Sequence, residues 1–180
     1  MRHYREILEF WFVTHGEADW FGGKAEFDAA LAAFGSQTHA AVAEGEAFWW
    51  RESPDGRLAE IIVLDQFSRQ LFRNDARAFA ADDMALALAQ EAVAEGDDLR
   101  LEPRRRAFLY MPYMHSESPM IHIEAMRLFT ALGMEETLKF EIAHRDVIAR
   151  FGRYPRRNAA LGRPNTPEEE AYIASDTGMF

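Results

Sequence analysis

From Tyr4 onward the apolar residues of this chain recur at three- and four-residue spacings almost without a break, the period of an α-helix. Ile7, Leu8, Trp11 and Phe12 share one side of a first helix over about 4–13. Phe27, Leu31, Phe34, Thr38 and Ala41 repeat along a second, which follows Trp20-Phe21-Gly22-Gly23, with Gly35 as a place where it bends or divides. Ser53-Pro54-Asp55-Gly56 reads as a turn. A third helix runs from about Leu58 to Arg73 and a fourth from about Asp82 to Glu95, closed by Gly96. Residues 103–114 form a short aromatic-rich helix. Ser118-Pro119 opens the next, which ends at Gly133, and Glu135-Glu136 opens another that ends near Gly152. Thr166-Pro167-Glu168-Glu169 joins a capping box to a proline at the first helical position, so a short closing helix follows.

The one stretch with strand character is Ile61-Ile62-Val63-Leu64, and it reads as helix because no other run is available to pair with it. The expectation is an all-α fold of about eight helices in antiparallel hairpins, forming a single domain over 1–180. A chain of 180 residues buries enough surface to need no disulfide or structural metal, and zero Cys removes thiolate chemistry and cysteine zinc sites. No window approaches the ~18 apolar residues of a membrane span, and Met1-Arg2-His3-Tyr4-Arg5-Glu6 is not followed by a signal-type apolar stretch. These features point to a cytoplasmic protein. They say nothing of its oligomeric state, for which Phe48-Trp49-Trp50 offers only the hint of an exposed aromatic patch.

Polar residues on apolar faces mark the candidate chemistry. On a helical projection Leu58, Ile61, Ile62, Asp65, Arg69 and Phe72 share a sector, while Val63, Leu64, Phe67 and Leu71 fill much of the opposite one. The third helix is therefore expected to be central, with Asp65 and Arg69 paired four residues apart, as a structural tie or at the floor of a pocket. Before Gly152, Phe140, His144, Val147, Ile148 and Phe151 form a stripe with His144 in its middle, either a hydrogen-bonded core histidine or one held in a half-buried site. His115-Ser116-Glu117, where the aromatic-rich helix ends, supplies a second histidine and a carboxylate. His115, Glu117 and His144 lack the spacing of a metal-binding helix, and Ser116 lacks the glycines of a nucleophile elbow, so neither a metal, a cofactor nor a serine nucleophile is expected.

Charge is unevenly placed. The net charge of −10 argues against nucleic-acid and anionic-membrane partners. Yet 18 of the 20 basic residues are arginine, and 145–163 holds six of them against Asp146 alone, a local charge of +5. Glycine and proline in Phe151-Gly152-Arg153-Tyr154-Pro155-Arg156-Arg157-Asn158 end the helix and turn the chain. This is a solvated basic loop or an anion site built from Arg153, Arg157 and Arg163, with Asn158 fixing orientation and Arg73 or Arg106 added from neighbouring helices.

Several of these segments together resemble one family. Leu64-Asp65-Gln66-Phe67-Ser68-Arg69 with Phe72-Arg73, Ala78-Phe79 with Asp82, Met111-Pro112-Tyr113-Met114-His115-Ser116-Glu117, His144-Arg145-Asp146, the arginine segment and Leu161-Gly162-Arg163 are similar to the bacterial domain-of-unknown-function 924 family. Phe10-Trp11-Phe12, Trp20-Phe21 and Phe27-Asp28 resemble its opening. The resemblance implies an all-helical, tetratricopeptide-like fold and no established activity. Arg156 stands where histidine is more usual, Ser68 where proline is, and Ile121-His122 where Asp-Gln is, departures that bear on any chemistry at those positions.

Two functions follow from the residues. One is a non-catalytic scaffold that takes an anionic small molecule or peptide carboxylate through Arg69, Arg73, Arg153 and Arg157. The other is a hydrolase in which His115 or His144 is the base, Glu117 or Asp65 orients it, and an arginine stabilises developing charge.

Overall fold

A computed structural model describes residues 1–20 and 24–175. Phe21-Gly22-Gly23, expected to precede the second helix, lies outside the described residues. Helices α1 (Tyr4–Glu9), α2 (Glu17–Trp20), α3 (Ala25–Ala43), α4 (Pro54–Ile62), α5 (Ser68–Leu71), α6 (Asp82–Ala94), α7 (Pro103–His115), α8 (Pro119–Leu132), α9 (Glu135–Phe151) and α10 (Pro167–Ala174) follow in chain order. A π-helical turn, Phe10–Thr14, prolongs α1, and a second, Val63–Phe67, fuses α4 and α5 into one rod. No strand occurs among the described residues, so Ile61–Leu64 is helical as its lack of a pairing partner requires.

The fused rod is the centre of the fold. Leu58, Ala59, Ile61, Ile62, Val63, Leu64 and Phe67 are fully buried. α1, α6 and α7 pack against α4, and α3 against the π turn. From α6 to α9 each helix lies against the next, α6 on α7, α7 on α8 and α8 on α9. Gly133 and Gly152 close α8 and α9 in the left-handed region, at φ 75° and 69°, where a side chain would be strained. The capping box at Thr166 is formed in full.

Three expectations change. Ser53-Pro54-Asp55-Gly56 is not a separate turn but the start of α4, because Ser53 accepts the Gly56 N–H and Pro54 fits the first helical position. Gly35 neither bends nor divides α3. Its missing side chain admits the Phe67 ring, which would lie 2.8 Å from a Cβ at that position. Phe140 points to solvent at 46% exposure, and the buried stripe of α9 is Glu141, His144, Val147 and Ile148. Of the aromatic triplet, Phe48 and Trp49 are exposed and Trp50 is buried. Among the described residues no helix is long and apolar enough to cross a membrane.

Candidate active site at the end of α7

The last carbonyls of a helix have no partner within it. At the end of α7 three successive ones are taken by side chains from later in the chain. Tyr154 Oη donates to the Met114 carbonyl (2.6 Å), Arg157 Nη2 to that of His115 (2.8 Å), and His122 Nε2 to that of Ser116 (2.9 Å). Glu117, next in the chain, accepts the Tyr154 N–H (2.7 Å) and a two-pronged contact from Arg163 (2.7 and 2.9 Å). Asn158 is fully buried, accepts from Arg163 Nε (2.8 Å) and donates to Asn165 (2.9 Å). The turn that Gly152 and Pro155 impose thus wraps the arginine segment around residues 114–117.

On this braced corner His115 meets the central rod. Its Nδ1 lies 2.7 Å from Asp65 Oδ1, and Asp65 is 1% exposed. Arg69 closes on the same carboxylate oxygen (3.0 Å) and on the Asp65 carbonyl (2.8 Å). A π turn shifts backbone bonding to the fifth residue along, putting carbonyls out of step with their usual N–H partners. Here side chains take up two of them. Arg69 serves Asp65, and the Ser68 hydroxyl donates to the Leu64 carbonyl (2.6 Å) while accepting from His39 Nε2 (2.7 Å). Arg69 continues to both oxygens of Asp82 (2.9 and 3.0 Å), which also receives Arg157 Nη1 (3.2 Å). The Arg157 guanidinium lies between the rings of Phe79 (4.7 Å) and Tyr154 (4.5 Å).

Two carboxylates therefore face two guanidinium groups, and the imidazoles beside them are neutral. Burial alone would raise the Asp65 carboxyl, but Arg69 and His115 hold it well below the usual carboxylate range. Burial and the Arg69 charge push His115 down despite Asp65. His144, its ring 6.1 Å from that of His115, is lowered to about 3, chiefly by burial. Its Nδ1 donates to the Phe140 carbonyl one turn back (2.7 Å). In His115 the hydrogen on Nδ1 goes to Asp65, so Nε2 carries the lone pair, and Nε2 makes no hydrogen bond among the described residues.

The structure thus gathers Asp65, Arg69, His115, His144 and Arg157. Glu117, Asn158 and Arg163 stand next to them as a brace, with Glu117 engaged by Arg163 and the backbone rather than orienting a histidine. Three expected members lie elsewhere because nearer acceptors claim them. Arg73 pairs with Asp28 of α3, Arg106 serves the Leu99 and Leu101 carbonyls, and Arg153 reaches Glu169 of α10 and the Pro164 carbonyl. Ser116 Oγ accepts the Ser118 N–H (3.2 Å). Asp82, Phe79, Tyr154, His122 and Glu141 also border this corner; no expectation points to Glu141, whereas the other four stand out only within the family-like segments. The signal for Glu141 was its spacing of three and seven from His144 and Ile148. No group of three metal-ligating side chains occurs among the described residues, and a groove of about 450 Å³ lined by Arg5, Glu6, Glu9, Phe10, Thr14 and Phe34 contains none of these residues.

A family model described as bacterial protein of unknown function, DUF924, matches residues 7–177. A solved structure of a protein of unknown function from Agrobacterium tumefaciens is similar over 96% of this chain and 97% of its own, with a TM-score of 0.90 and 35% sequence identity. No curated protein matches the chain.

Proposed function

The chain belongs to the DUF924 family, and on that premise we propose that it is an acid–base catalyst, a hydrolase whose general base is His115. One observation carries the reading: Nδ1 of His115 is tied at 2.7 Å to the buried Asp65 carboxylate while Nε2 makes no hydrogen bond among the described residues. A carboxylate on Nδ1 fixes the ring and its tautomer and stabilises the imidazolium formed when Nε2 takes a proton. The lowered pKa keeps that nitrogen unprotonated at neutral pH. Arg69 and Arg157, at the same corner, supply positive charge where negative charge develops. His144 is a second neutral imidazole beside them.

The arrangement favours catalysis over passive anion capture because its charges already balance. Arg69 and Arg157 both rest on Asp82, so an anion gains nothing unless it takes over part of that carboxylate's role. The substrate that fits is an anionic small molecule or a peptide carboxylate, competing with Asp82 for Arg157 while water or a hydroxyl loses its proton to His115. Glu117, Arg163 and Asn158 hold the corner and take no part in proton transfer. Three arginines of the basic segment are paired internally, Arg163 with Glu117, Arg153 with Glu169 and Arg157 with Asp82.

His115→Asn keeps an N–H for Asp65 and removes the basic nitrogen. Hydrolysis of chromogenic carboxylic esters, amides and phosphate esters by the wild type is expected to fall by about 100-fold or more in this variant. Equal rates in the two proteins, or no turnover by either across the three classes, overturns the proposal.

A further inference from the structure

His122 and Glu141 have side-chain exposures of 1% and 0% and face each other at 2.8 Å between Nδ1 and Oε1. Neither takes part in the reaction proposed above. His122 Nε2 lies 2.9 Å from the Ser116 carbonyl, and a carbonyl can only accept, so Nε2 carries a hydrogen. The remaining proton between Nδ1 and Oε1 decides the state of the pair. On nitrogen it makes an imidazolium and a carboxylate; on oxygen, a carboxylic acid that donates to a neutral imidazole.

The other carboxyl oxygen separates the two. Glu141 Oε2 is buried without a hydrogen-bond partner among the described residues. In a carboxylate that oxygen carries charge with no hydrogen bond to stabilise it, whereas in the acid it is a neutral carbonyl oxygen, far cheaper to leave unpaired. Among the groups facing the pair, Arg145 is one turn along α9 and is engaged with Asp146. The Tyr154 hydroxyl, 3.3 Å from His122 Nε2, gives its hydrogen to Met114. Neither bonds Oε2. Burial raises the Glu141 carboxyl against the opposing influence of His122 and the Arg145 charge, in the same direction as the geometry.

We propose that Glu141 is protonated in the folded protein and donates to His122, fixing the His122 tautomer that holds the Ser116 carbonyl, and that both are positioning residues for His115. The protonation rests on the geometry of the pair alone; the positioning role rests on the reading of His115 as the base. Through one backbone carbonyl next to His115, a buried acid sets the pose of a ring it does not touch.

The test is the ¹⁵N spectrum of the histidine rings in the full chain between about pH 5 and pH 9. In the wild type His122 is expected to be a neutral imidazole with hydrogen on Nε2 throughout. Glu141→Gln, whose amide donates as the acid does, should keep that spectrum, keep His115 as its Nδ1–H form, and keep kcat within about twofold. Glu141→Leu, which cannot donate, should mix the His122 tautomers and shift the His115 signals. An imidazolium at His122 in the wild type, or a glutamine variant that loses the tautomer, overturns the protonation. An unchanged His115 spectrum in Glu141→Leu overturns the positioning role. Should the leucine variant not fold, Glu141→Met, which equally cannot donate, takes its place, and an unchanged His115 spectrum there overturns that role. An inactive wild type with these spectra intact would count against the hydrolase and not against the pair.

Discussion

Acidification should unfold this protein through His144, by an amount that follows from its surroundings. The side chain is 8% exposed and its pKa is lowered to about 3 from an ordinary 6.5. Between those values the unfolded chain binds a proton that the folded chain refuses, so stability rises with pH across the window and is lost as pH falls below the unfolded value. From pH 7 to pH 5 the unfolded imidazole goes from mostly neutral to almost fully charged while the native one stays neutral, which removes about 2 kcal/mol of stability. The figure hardly depends on the folded value as long as it lies below about 4. His144→Gln keeps an amide N–H for the Phe140 carbonyl and has nothing to titrate. Urea unfolding of both proteins at the two pH values isolates the histidine, because the remaining groups are common to both. The wild type should lose about 2 kcal/mol more than the variant on going to pH 5. Equal losses would mean that His144 charges freely in the folded state, and the neutral imidazole pair at the site would then be wrong.

Asp65→Ala leaves Arg69 and His115 without their buried acceptor and should destabilise the fold by about 3 kcal/mol in urea titration. A midpoint equal to that of wild type would mean the carboxylate is dispensable to the core. Arg153→Ala should speed amide hydrogen exchange in α10, whose Glu169 it holds, and leave the His115 ring signals unmoved. Displaced His115 signals would return Arg153 to the site.

The helices were legible because their punctuation is chemical: Gly133 and Gly152 at left-handed ends, Thr166-Pro167 at a start, apolar spacing between them. The Asp65–Arg69 pair was legible for the same reason, being one turn apart on a buried face. What spacing could not show is which acceptor each arginine finds, since guanidinium reach covers several candidates. Arg153 and Arg157 look alike in sequence, yet one serves Glu169 and the other Asp82 and the His115 carbonyl. On α9, His144, Val147 and Ile148 face inward as their spacing requires, but treating Phe140 as inward hid Glu141, because apolarity was taken to decide orientation where a buried acid had its own partner in His122. The π turn was equally invisible. Its wider turn holds Asp65, and a projection at a constant 100° per residue has no place for it.

The three capped carbonyls at the end of α7 also impose an order in time. A chain is made from its N-terminus, and its parts fold as they become available. α7 and the central rod precede residue 116, but two of the three donors, Tyr154 and Arg157, come about 40 residues after the carbonyls they serve, and Arg157 reaches back 75 residues to Asp82. A nascent chain that stops short of residue 154 therefore has its helix and its histidine but not the groups that hold them. The His115 corner closes only after most of the hydrophobic core has been synthesised, so any activity centred there requires the chain through Arg157 and not an earlier partial fold.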